Sequence, residues 1–365
     1  MTEAELEAAG LYDPSSATAD QRLALLRWLD ERGVTLEQMV AARGSLSGLA
    51  GDLALRPGRR ITAREIAAQF NLDVEQVLGL SLAAGLSPRT ADALAYTEED
   101  LDLFAIFVGG VAMFDEAATR HFTRVVGSSL SRIAEAAVSL FQVNVQQPMM
   151  EAGGSELALA QQNLRAIEAL TGVQRLLQSL FAAHLETAIR RLREARLSRS
   201  PDAVMFAVGF IDLVGFTTLS RDMAARDLAE LVQRFEDTAY DVVAVHDGRV
   251  VKLIGDEVMF VTRTATAACE IALGLLERFA SDAAVTPRGA IAFGEMLVRG
   301  GDYYGPIVNL ASRVTQIAVP NELLVTPQVA EQSDKNTLLF APAGKRMLKG
   351  LNDPVTLLTV TRAGA

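Results

Sequence analysis

Three segments in the second half of the chain combine residue types and spacings that could do phosphate chemistry. The first is Phe210-Ile211-Asp212-Leu213-Val214-Gly215-Phe216-Thr217. An acid closes a buried strand there, and a Gly-containing turn leads into a helix whose first backbone N–H groups can hold an anion. The second is Lys252-Leu253-Ile254-Gly255-Asp256-Glu257, a hairpin tip with another acid. Acids on adjacent strand ends can bind a pair of Mg²⁺ ions, clamping a triphosphate and activating a hydroxyl. Each motif alone also has a plain structural reading. Gly-Asp is a common hairpin turn, and a strand-end Asp often only caps a helix.

The third segment runs from Gly301 through Asp302 to Asn309 and Arg313. Asn309 and Arg313 stand four apart, so a helix puts them on one face. They pair a neutral hydrogen-bonding group with a permanent cation. A solvated polar stripe would look similar, but Val308, Leu310 and Ala311 surround the pair with apolar positions.

The elements needed to position these groups are legible beyond residue 203. Ala203–Ile211 reads as a strand, Leu219–His246 as one long helix, and Arg249–Ile254 with Val258–Thr262 as a hairpin. A helix near Thr264–Phe279, a strand near Pro287–Phe293 and a helix near Ile307–Ala318 follow. Short strands near Leu323–Val325 and Val355–Val360 finish the chain. This order predicts an α+β domain of ferredoxin-like, split-βαβ type over 203–365.

Residues 1–197 read as an all-α domain, joined through Ser198-Arg199-Ser200-Pro201-Asp202 as a linker, residues 198–202. Thr62 and Glu65 have capping-box spacing, and Ile61–Ala84 reads as two short helices. Glu98–Phe114 and Glu116–Val143 read as longer buried helices, with Pro148 and Gly153-Gly154 breaking the pattern. A final helix spans about residues 156–197 and ends in Arg190, Arg191, Arg193 and Arg196, suited to a helix C-terminus.

Composition narrows the partners. The 365 residues are 50% hydrophobic with net charge −11, so wholesale nucleic-acid coating is not expected. The apolar stretch 103–114 is too short to span a bilayer, and the first residues lack a basic n-region. The single cysteine, Cys269, fits a reducing, cytoplasmic setting.

On these residues, 203–362 resembles the class III nucleotide cyclases: both acidic motifs, the Lys four residues before the second acid, Asp302, and Asn-x-x-x-Arg. The resemblance implies a head-to-tail homodimer with sites at the interface. Asp212 and Asp256, with the Ile211 backbone carbonyl, would bind two Mg²⁺ or Mn²⁺ on one protomer. Lys252 and Asp302 of the other protomer would recognise the base, while Asn309 and Arg313 position the ribose and stabilise the transition state. Gly215, Phe216 and Thr217 would contact substrate. Lys349 would reach the β- and γ-phosphates, or is a solvated strand-end lysine.

Base choice has a physical check. Adenine offers an acceptor at N1 and a donor at N6, matching donor-only Lys252 and acceptor-only Asp302. Guanine reverses both. The implied reaction is therefore ATP to 3′,5′-cyclic AMP and pyrophosphate. A diguanylate cyclase reading fails because the tip lacks a double glycine and Asp302, Asn309 and Arg313 go unexplained. A silent nucleotide sensor is disfavoured by the complete six-residue set.

The helical half resembles the regulatory domain of soluble actinobacterial adenylate cyclases that respond to acid pH and bind fatty acids. It implies a dimeric, autoinhibitory unit with residues 156–197 as a switch helix. His184 in that helix is the candidate pH sensor, or a packing histidine; carboxylates could equally serve. The apolar stretch 103–114, with Phe141 and Met149-Met150, could line a fatty-acid tunnel or form dimer core. Residues 61–84 also resemble a helix-turn-helix, with Arg56, Arg59, Arg60 and Arg64 nearby, so a DNA-binding regulator is the rival reading. Its second helix, Val74–Leu80, carries no Arg or Lys.

Overall fold

The structure is a computed structural model that describes residues 1–87, 90–195, 204–280, 282 and 284–364. The chain divides into two compact units, Met1–Glu186 and Thr187–Ala365. The division falls inside a long helix, ahead of residues 198–202, and that linker candidate lies outside the described residues. No helix among the described residues is long and apolar enough to cross a membrane.

The first unit opens with α1 (Glu3–Ala8), α2 (Ala19–Asp30), α3 (Leu36–Ala41) and α4 (Leu46–Leu55). Leu25, Leu26, Leu29 and Met39 form its first core, together with Ala160. Next come β1 (Arg60–Ile61), α5 (Ala63–Phe70), α6 (Val74–Ala83), β2 (Tyr96–Thr97) and α7 (Leu101–Met113). The capping box at Thr62 forms in full: its N–H donates to Glu65 Oε2 at 2.7 Å, and Glu65 N–H returns a bond to Thr62 Oγ1 at 3.2 Å. The two-residue ribbon of β1 and β2 was not anticipated by an all-α reading. It is too short to show a period-2 pattern.

The unit ends with α8 (Glu116–Phe141), a wide helical turn at 142–146, α9 (Gln147–Glu151) and α10 (Glu156–Ala195). Pro148 does not break the helical run: it directly follows the wide turn at 142–146, where Gln147 N–H reaches the Gln142 carbonyl and the ordinary helical ladder is already interrupted. Gly153 and Gly154 make the break. Contrary to the buried reading, α7 and α8 carry exposed apolar side chains in the single chain. Ile106, Met113, Phe122, Leu130 and Leu140 are all exposed, as are Leu176, Phe181 and Leu185 of α10.

The second unit contains β3 (Val204–Val214), α11 (Phe216–Asp222), α12 (Ala225–Val245), β4 (Arg249–Ile254), β5 (Glu257–Thr262), α13 (Ala265–Phe279) and β6 (Thr286–Arg299). It closes with β7 (Asp302–Tyr304), α14 (Pro306–Thr315), β8 (Leu323–Val325), α15 (Pro327–Gln332), β9 (Leu338–Arg346) and β10 (Val355–Arg362). The sheet order is β4-β5-β3-β6-β8-β10-β9, with β7 pairing β6. The single helix expected over 219–246 is two, separated where Met223 and Ala224 both turn extended, at ψ near 144°. Neither residue is Gly or Pro, so composition hides the break.

Alternation along β3 sorts the two faces. Ala207, Ile211 and Leu213 join Val258 and Phe260 in a core shared with Phe235 and Ile271 of α12 and α13. Phe206, Val208 and Phe210 point the other way, into a core with Met259, Ala292 and Ala311 of α14. Gly209 lies on the α13 side, where a Cβ would sit 2.2 Å from the Phe260 ring.

Candidate active site

Asp212 is the next residue in the row Phe206, Val208, Phe210, so its carboxylate belongs to the α14 face of the sheet. Directly across the ladders it pairs with Glu257 on β5 and Arg288 on β6. These three side chains form a cross-strand row. Arg288 Nε donates to Asp212 Oδ2 at 2.8 Å, and Nη2 lies 2.8 Å from the same oxygen in an ion pair. Leu213 N–H donates to the Asp256 carbonyl at 3.2 Å, joining the end of β3 to the hairpin tip that carries the second acid.

Three carboxyls thus share one end of the sheet. Burial pushes the Asp256 carboxyl up, and Asp212 adds repulsion and a hydrogen bond. Burial also pushes Glu257 up to about 7, with Asp212 and Asp256 contributing in the same direction and Arg288 partly opposing. Carboxylates gathered this closely form a donor set that a divalent cation satisfies, so Asp212 and Asp256 fit a metal-binding role. Among the described residues no three His, Cys, Asp or Glu side chains converge as a ready-made metal group. The pair, rather than the trio, is the candidate.

Lys252 and Asp302 meet in one chain: Lys252 Nζ donates to Asp302 Oδ2 at 2.7 Å. Strict alternation would not put Lys252 there. Val250 packs on the α12–α13 side and Val251 on the α14 side, which would return Lys252 to the α12–α13 side. The β4–β5 register shifts between Val250 and Lys252, so Lys252 pairs Met259 and joins the site face. Burial opposes ionisation of Asp302, but hydrogen bonds from Lys252 and from Tyr303 N–H, with the charge of Arg249, hold its carboxyl below the ordinary value. Arg249 also donates to the Gly301 carbonyl at 2.7 Å and lies over the Tyr303 ring. It thereby fastens the turn that presents Asp302.

Asn309 and Arg313 lie one turn apart on α14. Asn309 is exposed, and Arg313 makes no hydrogen bond or ion pair among the described residues. Its guanidinium rests against Gly350, where a Cβ would come within 3.3 Å of it. That contact brings the turn bearing Lys349, itself exposed, beside the α14 cation. Gly215 takes φ 87°, a conformation open to glycine, and starts α11 at Phe216. The Thr217 side chain lies outside the described residues. Ile211 is fully buried between Phe210 and Asp212, leaving its backbone beside the acid.

Sequence reasoning did not single out Arg249, Arg288 or Glu257. Only Glu257 carried a local signal, as the second acid of the hairpin tip. In the first unit, the arginines of the helix-turn-helix-like segment are engaged: Arg56 with Asp100, Arg59 with Glu65 at 2.9 Å, and Arg64 with Asp92 at 2.7 Å. Arg60 donates to the Arg56 carbonyl. The basic patch is therefore balanced by acids of its own unit.

This fold and site define a class III nucleotide cyclase domain behind a helical regulatory domain. Residues 4–190 match the adenylate cyclase regulatory domain, and residues 200–360 match the adenylate and guanylate cyclase catalytic domain. The chain belongs to the class III adenylate cyclases that carry this regulatory domain, and it is an adenylate cyclase. An uncharacterized protein of Mycobacterium tuberculosis is 32% identical over 96% of this chain and 92% of its own. An adenylate cyclase of Streptomyces coelicolor is 34% identical over 77% of this chain and 73% of its own. A pH-sensitive adenylate cyclase of Mycobacterium tuberculosis is 29% identical over 96% of this chain and 91% of its own.

Proposed function

We propose that the enzyme converts ATP to 3′,5′-cyclic AMP and pyrophosphate at sites shared between two copies of the chain. The Lys252–Asp302 contact carries the reading for adenine. It presents one donor and one acceptor side by side, complementary to N1 and N6 and mismatched to guanine. Asp212 and Asp256, with the Ile211 carbonyl, are the groups that would hold Mg²⁺ or Mn²⁺. Such ions, when bound, lower the pKa of the 3′-hydroxyl and offset charge on the phosphates.

The chain's own groups do the rest. Asn309 orients the ribose by hydrogen bonding, and Arg313 meets the charge that develops at the α-phosphorus as the 3′-oxygen attacks. The Gly215–Thr217 turn and Lys349 hold the β- and γ-phosphates, so pyrophosphate departs from a fixed position. Asp212 and Asp256 come from one protomer, and Lys252, Asp302, Asn309 and Arg313 from its partner.

The first unit supports this arrangement as a dimerisation and control element. Its exposed apolar stripes on α8 and α10 are the surfaces a second copy would cover. Similarity to a pH-sensitive adenylate cyclase of Mycobacterium tuberculosis favours pH as the signal. His184 is exposed on α10, available to report pH along the switch helix, and fatty acid bound along residues 103–114, with Phe141 and Met149-Met150, would be a second input.

The test is nucleotide turnover by the full chain with Mg²⁺ or Mn²⁺. Cyclic AMP from ATP, little product from GTP, and loss of activity in Asp256→Ala are expected. Activity that survives Asp256→Ala would end the metal reading. Mass spectrometry of the purified protein reveals whether fatty acid accompanies it, and a pH profile unchanged in His184→Ala would remove that residue as sensor.

A further inference from the structure

The turn that presents Asp302 is two glycines long. β6 ends at Arg299 and β7 begins at Asp302, and these two residues pair across the ladder, so Gly300 and Gly301 alone reverse the chain. Both take positive φ, 61° and 81°, as a tight hairpin turn needs. Without side chains, such a turn has little of its own to fix it. This one is held from β4: Arg249 Nη2 donates to the Gly301 carbonyl at 2.7 Å, and the guanidinium carbon lies 5.8 Å from the centre of the Tyr303 ring. Tyr303 is in turn buried against Phe206, the rings edge to face with centres 5.5 Å apart. One arginine therefore grips the residue before Asp302 and the residue after it.

The Asp302 carboxylate divides its oxygens. Oδ1 accepts from Tyr303 N–H at 2.8 Å, and Oδ2 accepts from Lys252 Nζ at 2.7 Å. Arg249 acts on this group through the backbone on either side and through its charge, which helps keep the carboxyl ionised. Arg249 and Lys252 stand three apart on β4, and strict alternation would put them on opposite faces. The register shift between Val250 and Lys252 returns both to the α14 face. A single bulged strand thus delivers the base-reading donor and the clamp on the base-reading acceptor.

We propose that Arg249 is a positioning residue that determines base specificity: it fixes the backbone from Gly301 to Tyr303 so that Asp302 offers its acceptor to the exocyclic amine of adenine. This rests on the adenine reading of the Lys252–Asp302 pair. Lysine would keep the charge, but its ammonium lacks the planar guanidinium that bonds a carbonyl while lying over a ring.

Purine riboside 5′-triphosphate separates this role from a general structural one. It keeps the N1 acceptor that Lys252 meets but has no 6-amino group for Asp302. Full-length wild type, Arg249→Lys and Arg249→Gln are compared in kcat/KM for ATP and for this analogue, with thermal unfolding alongside. Wild type is expected to favour ATP by about 10- to 100-fold. Arg249→Gln is expected to lose most of that preference, falling about tenfold or more on ATP and staying within about twofold on the analogue. Arg249→Lys is expected to fall between the two. In an Asp302→Ala background, Arg249→Gln should change neither rate further, because the acceptor it positions is gone. A preference unchanged in both Arg249 variants would overturn the proposal. So would an equal loss on both nucleotides, or a further loss in the Asp302→Ala background, either of which would leave Arg249 a purely structural residue. If Arg249→Gln does not fold, Arg249→Lys decides by the same ratio, an unchanged one overturning the proposal. A wild type that cyclises neither nucleotide, or does not distinguish them, defeats the adenine reading itself, and the role of Arg249 with it.

Discussion

Asp212 and Glu257 stand directly opposite each other on the β3–β5 ladder, two acids on one face of the sheet. Burial of Glu257 is the main cause of a pH-dependent cost, and repulsion from Asp212 adds to it. Glu257, ordinarily near 4.5, titrates at about 7 in the folded chain. An acid whose pKa is raised by folding binds its proton more tightly when folded. Its stabilising protonation is therefore complete below about 4.5 and is lost as pH rises through about 7. In chelator, the urea midpoint of wild type should fall between pH about 5 and about 8. Glu257→Gln should show a smaller fall, because its amide does not titrate over that range.

In the proposed reading, nucleotide choice rests on the Lys252–Asp302 pair. Lys252→Ala and Asp302→Ala should each lower kcat/KM for ATP by roughly 10- to 100-fold, the worth of a charge-assisted hydrogen bond. The ATP-to-GTP preference should narrow as well. Unchanged selectivity in both variants would show that the base is read elsewhere.

Packing around Gly209 leaves no space for a methyl group. A Cβ at that position would lie 2.2 Å from Phe260 Cζ. Gly209→Ala should cost about 1–3 kcal/mol by denaturant unfolding, and Phe260→Leu in the same chain should recover part of it.

Cys269 is fully buried, and burial pushes its thiol up to about 12 despite a hydrogen bond with Ser333. The native protein should resist thiol-specific reagents at neutral pH, and the unfolded chain should react at once.

The apolar stripe on α8 should disappear into an interface between copies. Leu130→Glu, a charge on an exposed apolar position, should shift the protein from dimer to monomer in analytical ultracentrifugation. Cyclic AMP synthesis should fall with it if the sites are shared.

Much of the site was legible because its signals are local. Asp212 follows an apolar strand, Asp256 sits in a Gly-Asp turn, and Asn309 with Arg313 share a helix face by spacing alone. The capping box at Thr62 is local in the same sense and forms as its spacing requires. Elements at the sheet margin were harder to see. β9 is an edge strand containing Pro342 and Gly344 and mostly exposed side chains, so it shows no apolar alternation. The exposure of α8 was also hidden, because an apolar helix reads the same whether its cover is its own chain or another copy.

The sequence by itself determined the chemistry available: two strand-end acids, a donor and an acceptor for a base, and an amide with a cation on one helix. Tertiary structure decided which groups meet. Lys252 reaches Asp302 because a bulge in β4 reverses its side, and that bulge exists only in register with β5. Arg288 reaches Asp212 across 76 residues because β3 and β6 are neighbours. Neither relation has a local signature, since cross-strand partners are set by pairing between distant segments and not by the residues beside them.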